Sequence, residues 1–271
     1  GIKLPERLHI CLGTGGVEGA DAFSDIEKYP AEYPKTAEIT GKETMFLTMT
    51  SGSTGTPKPI EHTQENKYKR AMAHVKLYGI READRILSAT PLYHSLAERL
   101  VILPLLIGAT AIVLPRFTPA LWLKCVSENR VTFTIAVSAQ LSQIAQVISS
   151  PFTPDLSSLR SVVSSSALLE SHVRAALIEK LECDFHEMYG TSEVSTATSI
   201  NFRESQNKVK SVGRAINEAE IKILRDDLSE AETGEVGEIA VKTELVFAGY
   251  YKKPEMTEKA MTNGFFKTGD L

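Results

Sequence analysis

Nine consecutive residues, Thr50-Ser51-Gly52-Ser53-Thr54-Gly55-Thr56-Pro57-Lys58, carry five hydroxyls, two glycines and a lysine. That mixture suits a polyphosphate. Glycine lets the backbone approach an anion and present its N–H groups, hydroxyls donate to phosphate oxygens or bind a hard cation, and lysine adds charge. A flexible linker can share this composition. A linker does not, however, sit naturally between an apolar, strand-like run, Met45-Phe46-Leu47-Thr48-Met49, and a strongly helical segment. The spacing also excludes an ordinary Walker loop, in which lysine follows the second glycine directly and Ser or Thr comes next. Here the order is Gly55-Thr56-Pro57-Lys58-Pro59, and the flanking prolines remove two backbone donors and stop a helix from starting at the lysine.

Four further segments follow in order: Pro91-Leu92-Tyr93-His94-Ser95, Tyr189-Gly190-Thr191-Ser192-Glu193, Gly237-Glu238-Ile239 with Gly249-Tyr250 behind it, and Thr268-Gly269-Asp270-Leu271. Taken singly, each has a bland reading. Glu193 would be a solvated surface carboxylate, Tyr189 a core aromatic, and Asp270 a turn former after Gly269. His94 would be a satisfied polar group, as His9, His62, His74, His172 and His186 are read. Taken together, the five segments resemble the AMP-forming acyl-CoA synthetases of the adenylate-forming superfamily, relatives of luciferases and of peptide-synthetase adenylation domains. The resemblance covers most of the chain.

It implies an enzyme that joins a carboxylic acid to the α-phosphate of ATP, expels pyrophosphate and then passes the acyl group to a thiol, that of CoA or of a carrier protein. By the same resemblance, Thr50, Ser51, Gly52, Ser53, Thr54, Gly55, Thr56 and Lys58 hold the β- and γ-phosphates. Glu193, aided by the Thr50 hydroxyl, holds Mg2+, a hard ion that takes oxygen ligands and often only one or two carboxylates. Tyr189 lies against adenine, Gly190 lets the chain turn beneath it, and Thr191 and Ser192 direct hydroxyls at the phosphates. Glu187 and Met188 lead into that segment, while Ser165, Ser166 and Ala167 border the adenine and acyl pockets. Asp270 accepts from the ribose hydroxyls, a task for an acceptor-only carboxylate. His94 lines the acyl pocket, so that His94 and Glu193 are the catalytic candidates. Tyr93-His94-Ser95 offers no carboxylate to an ammonium group, which points to a fatty or aromatic acid without an α-amine.

Three departures from the family pattern stand out. Ser164-Ser165-Ser166-Ala167-Leu168 replaces paired glycines, and two added hydroxyls make the acyl channel shorter or more polar. Thr243-Glu244-Leu245 stands where a Gly-Pro step is common. The hinge and the small mobile lid domain with its catalytic lysine fall beyond Leu271, and Lys58 belongs to the phosphate loop. The chain therefore reads as a fragment of the large N-terminal domain, deficient in adenylate formation by itself because lid closure completes such sites. A non-catalytic ATP-binding module, a carrier-loading adenylation domain and a luciferase-like oxygenase share the same nucleotide pattern.

The elements that must position these residues alternate along the chain. Short β-branched runs at 85–90, 109–114, 131–137, 159–164 and 183–188 are expected as strands. Helices are expected at 64–78, 95–107, 119–128, 140–148 and 170–181, with Thr118 and Pro119 as cap and first turn and Gly79 as a C-terminal cap. This rhythm predicts an α/β fold, a mostly parallel sheet covered by helices on its faces. Beyond Glu193 the character changes to strands and turns, with 219–224 and 238–243 alternating well. Residues 1–193 are thus expected as the nucleotide- and acyl-binding core, and 194–271 as a small antiparallel β-rich subdomain.

The 271 residues are 42% hydrophobic and 24% charged, sufficient for a large core. A formal charge of −4 predicts no nucleic-acid partner and no attraction to an anionic membrane. The longest apolar run, 100–114, is broken by Pro104 and Gly108, so no membrane anchor is expected. Cys11, Cys125 and Cys183 are far apart and without metal-ligand spacing, as expected for buried free thiols of a cytoplasmic protein.

Overall fold

The computed structural model describes residues 10–11, 21–22, 40–50, 57–205 and 207–271. Two compact units divide the chain, Gly1–Thr40 and Gly41–Leu271. In the first, β1 (Ile10–Cys11) pairs in parallel with β2 (Asp21–Ala22). Ser51, Gly52, Ser53, Thr54, Gly55 and Thr56 lie outside the described residues.

The second unit opens with β3 (Thr44–Thr50), which pairs antiparallel with β4 (Lys58–Thr63). No strand was expected at 58–63, where Pro59 was read only as stopping a helix. Pro59 is tolerated here at the strand's second residue, opposite Met49. Strand β4 then turns Ile60 and His62 inward and runs straight into α1 (Gln64–Tyr78). Thr63 caps that helix by accepting from the Asn66 amide at 3.1 Å, and Gly79 ends it in the left-handed conformation, as the sequence predicts.

Four strand–helix units follow: β5 (Arg85–Ser88), α2 (Ser95–Ile107), β6 (Thr110–Val113), α3 (Pro119–Glu128), β7 (Phe133–Val137), α4 (Ser138–Val147), β8 (Ser161–Ser165), α5 (Ser171–Lys180) and β9 (Asp184–Thr191). Their strands are mutually parallel in a sheet ordered β11-β10-β9-β8-β7-β5-β6, where β10 is Ser195–Asn201 and β11 is Arg214–Ala215. Because successive strand residues face opposite sides, the sheet builds two cores. Leu87, Ala136, Val162 and Phe185 pack under Trp122, Leu141 and Leu177 of α3, α4 and α5. Ile86, Ile135 and Val163 pack under Ala71 and Tyr78 of α1 and Leu96, Leu100 and Leu103 of α2.

The large sheet does not stop at Glu193. Strand β10 folds back antiparallel on β9, so a division at 193–194 falls at the tip of a hairpin whose two strands belong to one sheet. Beyond it, β12 (Ala219–Leu224), β13 (Glu238–Thr243), β16 (Phe265–Lys267) and β15 (Met261–Thr262) form the expected antiparallel sheet. Strand β14 (Gly249–Tyr250) leaves that sheet and pairs with β4, after which the short α6 (Pro254–Lys259) follows. A third core of Ile60, Val194, Ala197, Val241, Phe247, Tyr250 and Phe266 forms where these pieces meet. Among the described residues no helix is long and apolar enough to cross a membrane. Cys125 and Cys183 are buried free thiols, and burial raises both pKa values, that of Cys183 to about 12.

Candidate nucleotide and acyl site

In a parallel α/β sheet, ligands meet the carboxyl ends of the strands, where loops rather than helix bodies point outward. The candidate segments gather at that edge. Pro91–Ser95 follows β5, Ser165-Ser166-Ala167 ends β8, and Tyr189–Glu193 ends β9. The two ends of the hydroxyl-rich loop, Thr50 and Lys58, lie opposite each other in the β3–β4 ladder.

The tip of the β9–β10 hairpin carries the acidic candidate. Thr191 pairs with Ser195, leaving Ser192, Glu193 and Val194 as a three-residue turn, with Ser195 in the left-handed region at φ 67°. Gly190 is required by close approach, since a Cβ there would lie 1.8 Å from the Ser195 carbonyl oxygen. Val194 is fully buried, which pulls the turn inward and leaves Glu193 only 9% exposed, not the solvated carboxylate its type alone suggests. Tyr250 donates its hydroxyl to Glu193 Oε1 at 2.9 Å, and the Lys58 ammonium lies 5.6 Å from the Tyr250 ring centroid. Burial, followed by the Glu193 charge, raises the Tyr250 pKa and keeps its phenol a donor. Glu193 thereby joins the end of the phosphate-type loop through one tyrosine.

The other end of the hairpin meets the C-terminal segment. Tyr189 donates to Asp270 Oδ2 at 2.8 Å, with Tyr189 partly buried and Asp270 exposed. The motif Gly237-Glu238-Ile239 fixes the aspartate in place. Glu238 Oε1 accepts from the Gly269 amide at 2.9 Å, and the Ile239 amide donates to the Asp270 carbonyl at 2.8 Å. Gly269 has φ 79°, a conformation that suits glycine.

His94 stands at the N-cap of α2, exposed, its ring 4.4 Å from that of Tyr93. The next residue ties this segment to the hairpin, since Ser95 Oγ lies 3.3 Å from Ser192 Oγ. Thr191 Oγ1 accepts from the Val194 amide at 3.3 Å and so serves the turn itself. At the end of β8, Ser165 is buried while Ser166 and Ala167 are exposed. Ser166 takes φ 75°, a left-handed conformation that glycine adopts without strain and serine does not. Ser138 Oγ reaches back to the Ala167 carbonyl and to Ser164 Oγ, closing the floor beneath.

Two candidates direct their side chains elsewhere. The Glu187 carboxylate is buried against Arg174 at 3.0 Å, and the Met188 side chain packs in the core, its sulfur accepting from Thr196 at 3.3 Å. Burial raises the Glu187 pKa, opposed by Arg174. Thr50 ends β3, and the six loop residues after it lie outside the described residues.

Three residues that sequence reasoning missed hold this arrangement. Tyr250 was seen only as part of a Gly-Tyr step. Arg70 and Asn66 of α1, with no motif around them, donate to the carbonyls of Leu245 and Val246 and, from Arg70, to the hairpin tip. These bonds also give Thr243-Glu244-Leu245 a physical role, as a loop bolted to α1. Among the described residues no three His, Cys, Asp or Glu side chains cluster as metal ligands. A magnesium ion that keeps phosphate and water oxygens needs no such cluster, and the single carboxylate of Glu193 beside the loop ends fits it.

The chain thus carries an acidic turn, a lysine-ended loop and an aromatic–carboxylate pair around the carboxyl edge of a parallel sheet. Residues 4–251 match the family described as AMP-binding enzyme, and the chain belongs to that family. It is 28% identical over 260 residues to the long-chain-fatty-acid–CoA ligase FadD13 of Mycobacterium tuberculosis, covering 93% of this chain and 50% of that protein. The Bacillus subtilis O-succinylbenzoate coenzyme A synthetase in complex with AMP matches with TM-score 0.81 at 28% identity, over 93% of this chain and 51% of that one. The same synthetase in complex with ATP and magnesium ion matches with TM-score 0.77 at 29% identity, over 88% and 50%. The chain spans about half the length of the relatives it matches.

Proposed function

We propose that this chain is the nucleotide- and acyl-binding core of an AMP-forming carboxylate–CoA ligase of the cytoplasm. The observation that carries the reading is one hairpin that joins both ends of the candidate site. Tyr189 sits against Asp270 at one end, and four residues on Glu193 sits against Tyr250, whose ring lies beside the Lys58 ammonium, at the other. In this reading Asp270 accepts the ribose hydroxyls, Tyr189 faces the adenine, and Lys58 with the hydroxyl-rich loop takes the β- and γ-phosphates. Glu193 and Thr50 would hold magnesium, which supplies charge neutralisation on the phosphate oxygens.

The acid's carboxylate oxygen attacks the α-phosphorus, forming the acyl–phosphate bond as the bond to the β-phosphate oxygen breaks and pyrophosphate leaves. A thiolate then attacks the acyl carbon, and AMP departs with the bonding electrons. This chain's residues bind and align the reactants, the larger share of such a barrier. Tyr93 and His94 line the acyl side. The carboxylate next along that helix, Glu98, is buried against Lys67 at 2.7 Å and so does not serve an ammonium group, which supports an acid without an α-amine. CoA as the thiol follows the named activities of the relatives.

Calorimetry tests the nucleotide reading directly. The chain should bind ATP more tightly with magnesium than with EDTA, and Glu193→Gln should abolish that difference while leaving binding in EDTA within about twofold. An unchanged magnesium effect in Glu193→Gln removes Glu193 from the metal site.

A further inference from the structure

Arg70 is 1% exposed, and its three donor nitrogens go to three main-chain carbonyls. Nη1 donates to Ser192 O at 2.9 Å, Nη2 to Glu193 O at 2.6 Å, and Nε to Leu245 O at 2.7 Å. The Phe247 amide donates to the same Glu193 carbonyl at 2.7 Å. From behind, the Arg70 carbonyl accepts from His74 Nδ1 at 2.9 Å, so Nε2 is the acceptor nitrogen and receives Arg99 Nη1 at 3.1 Å, with Thr196 Oγ1 3.0 Å away. The guanidinium therefore grips both residues at the hairpin tip, while the network behind it engages the Arg70 main chain.

A buried guanidinium is a costly way to fill a core, because its desolvation is repaid only by well-placed acceptors. Here all three acceptors are backbone, and two belong to the turn proposed to carry the metal ligand. The nitrogens go to carbonyls and not to the Glu193 carboxylate, which is left without an arginine partner. Tyr250 fixes the carboxylate's Oε1 from the other side. Outer groups that orient a metal ligand before the ion arrives commonly govern affinity as strongly as the ligand does.

We infer that Arg70 is the positioning residue of the magnesium-binding turn, holding the Ser192 and Glu193 carbonyls so that the Glu193 carboxylate is set before Mg·ATP binds. This rests on the proposed metal role of Glu193. Lysine at this position keeps the charge but concentrates it on one nitrogen, which cannot span three carbonyls.

The test measures ATP affinity by calorimetry in magnesium chloride and in EDTA for the unmodified chain, Arg70→Lys, Glu193→Gln and the double variant. Arg70→Lys should lower the magnesium-dependent gain in affinity about tenfold or more while changing binding in EDTA less than about twofold. The double variant should be no weaker than Glu193→Gln. A merely structural arginine would weaken both arms together or neither. Full magnesium dependence in Arg70→Lys, with Glu193→Gln having lost it, overturns the role of Arg70. Retention in Glu193→Gln overturns the metal reading beneath it. Hydrogen exchange on the unmodified chain gives an answer even if Arg70→Lys does not fold. The Phe247 amide, bound to the Glu193 carbonyl, should already be protected without ligand, and fast exchange that slows only on adding Mg·ATP refutes a preset turn.

Discussion

The two ends of the candidate site are built differently. The proposed adenosine end is a ledge, with Asp270 exposed, Gly269 turning beside it, and only Tyr189 partly withdrawn into the fold. The proposed metal end is a vault, with Glu193 nearly buried and held through Tyr250, Arg70 and the Phe247 amide. Behind the vault stand two buried histidines. His62 donates from Nδ1 to Asn66 Oδ1 at 3.3 Å and accepts from Thr48 at 3.0 Å, while Asn66 holds the Leu245 and Val246 carbonyls. The contrast teaches that one end can be altered freely at little cost to folding, whereas the other tolerates only substitutions that keep the size and polarity of the packed group.

Acid gives the strongest test of the vault. Burial, then Arg70 and Lys67, pulls the His62 pKa down to about 2, and burial, then Arg99, pulls that of His74 to about 3. Both therefore stay neutral in the folded chain while their unfolded counterparts protonate below about 6.5, so the unfolded state takes up more protons as pH falls. The stability they contribute is complete above that pH and is lost below it, about 2 kcal/mol per histidine between pH 7 and pH 5. Glu187, its pKa raised by burial, works in the opposite sense. Urea midpoints at the two pH values should show the loss, with a shallower slope in His74→Gln. A flat profile breaks the picture of a neutral, buried brace.

Gly190→Ala comes next in size, because it strikes the hairpin that joins the two ends. The added methyl would meet the Ser195 carbonyl at 1.8 Å, and backbone cannot move aside as a side chain can. About 3 kcal/mol of stability should be lost, with nucleotide affinity falling in magnesium and in EDTA alike. A stable variant that binds normally would mean the hairpin tolerates a wider spacing. The smallest effect on folding belongs to the ledge. Asp270→Asn should cost under about 0.5 kcal/mol in urea unfolding, as exposed polar changes do, yet weaken AMP and ATP about tenfold with or without magnesium, the price of one charge-assisted pair. A magnesium-selective loss would place Asp270 at the wrong end of the nucleotide.

The helix-covered sheet was legible residue by residue. Period-2 and period-3.6 patterns, with Gly79 and Thr118 as punctuation, place α1, α2 and α3 at their observed bounds, whereas the Thr63 cap of α1 was not read. Strand β4 was not legible, because Pro59 argues locally against a strand and the partner that accepts it, β3, lies across a loop. Nor was the continuation of the sheet into β10, since a hairpin reversal at Glu193 looks in sequence like a change of domain.

By itself the sequence determined which chemical groups are present and in what order: hydroxyls, glycines and lysine in one loop, a tyrosine and a glutamate four residues apart, and an aspartate after glycine. Local periodicity and turn chemistry carry that much. Only the tertiary structure decided that Tyr250 reaches Glu193, that Tyr189 reaches Asp270, and that an unremarked arginine on α1 grips the turn between them. Such contacts join residues scores of positions apart, and burial of a charge or satisfaction of a carbonyl is settled by what packs around it, which no single stretch of chain encodes.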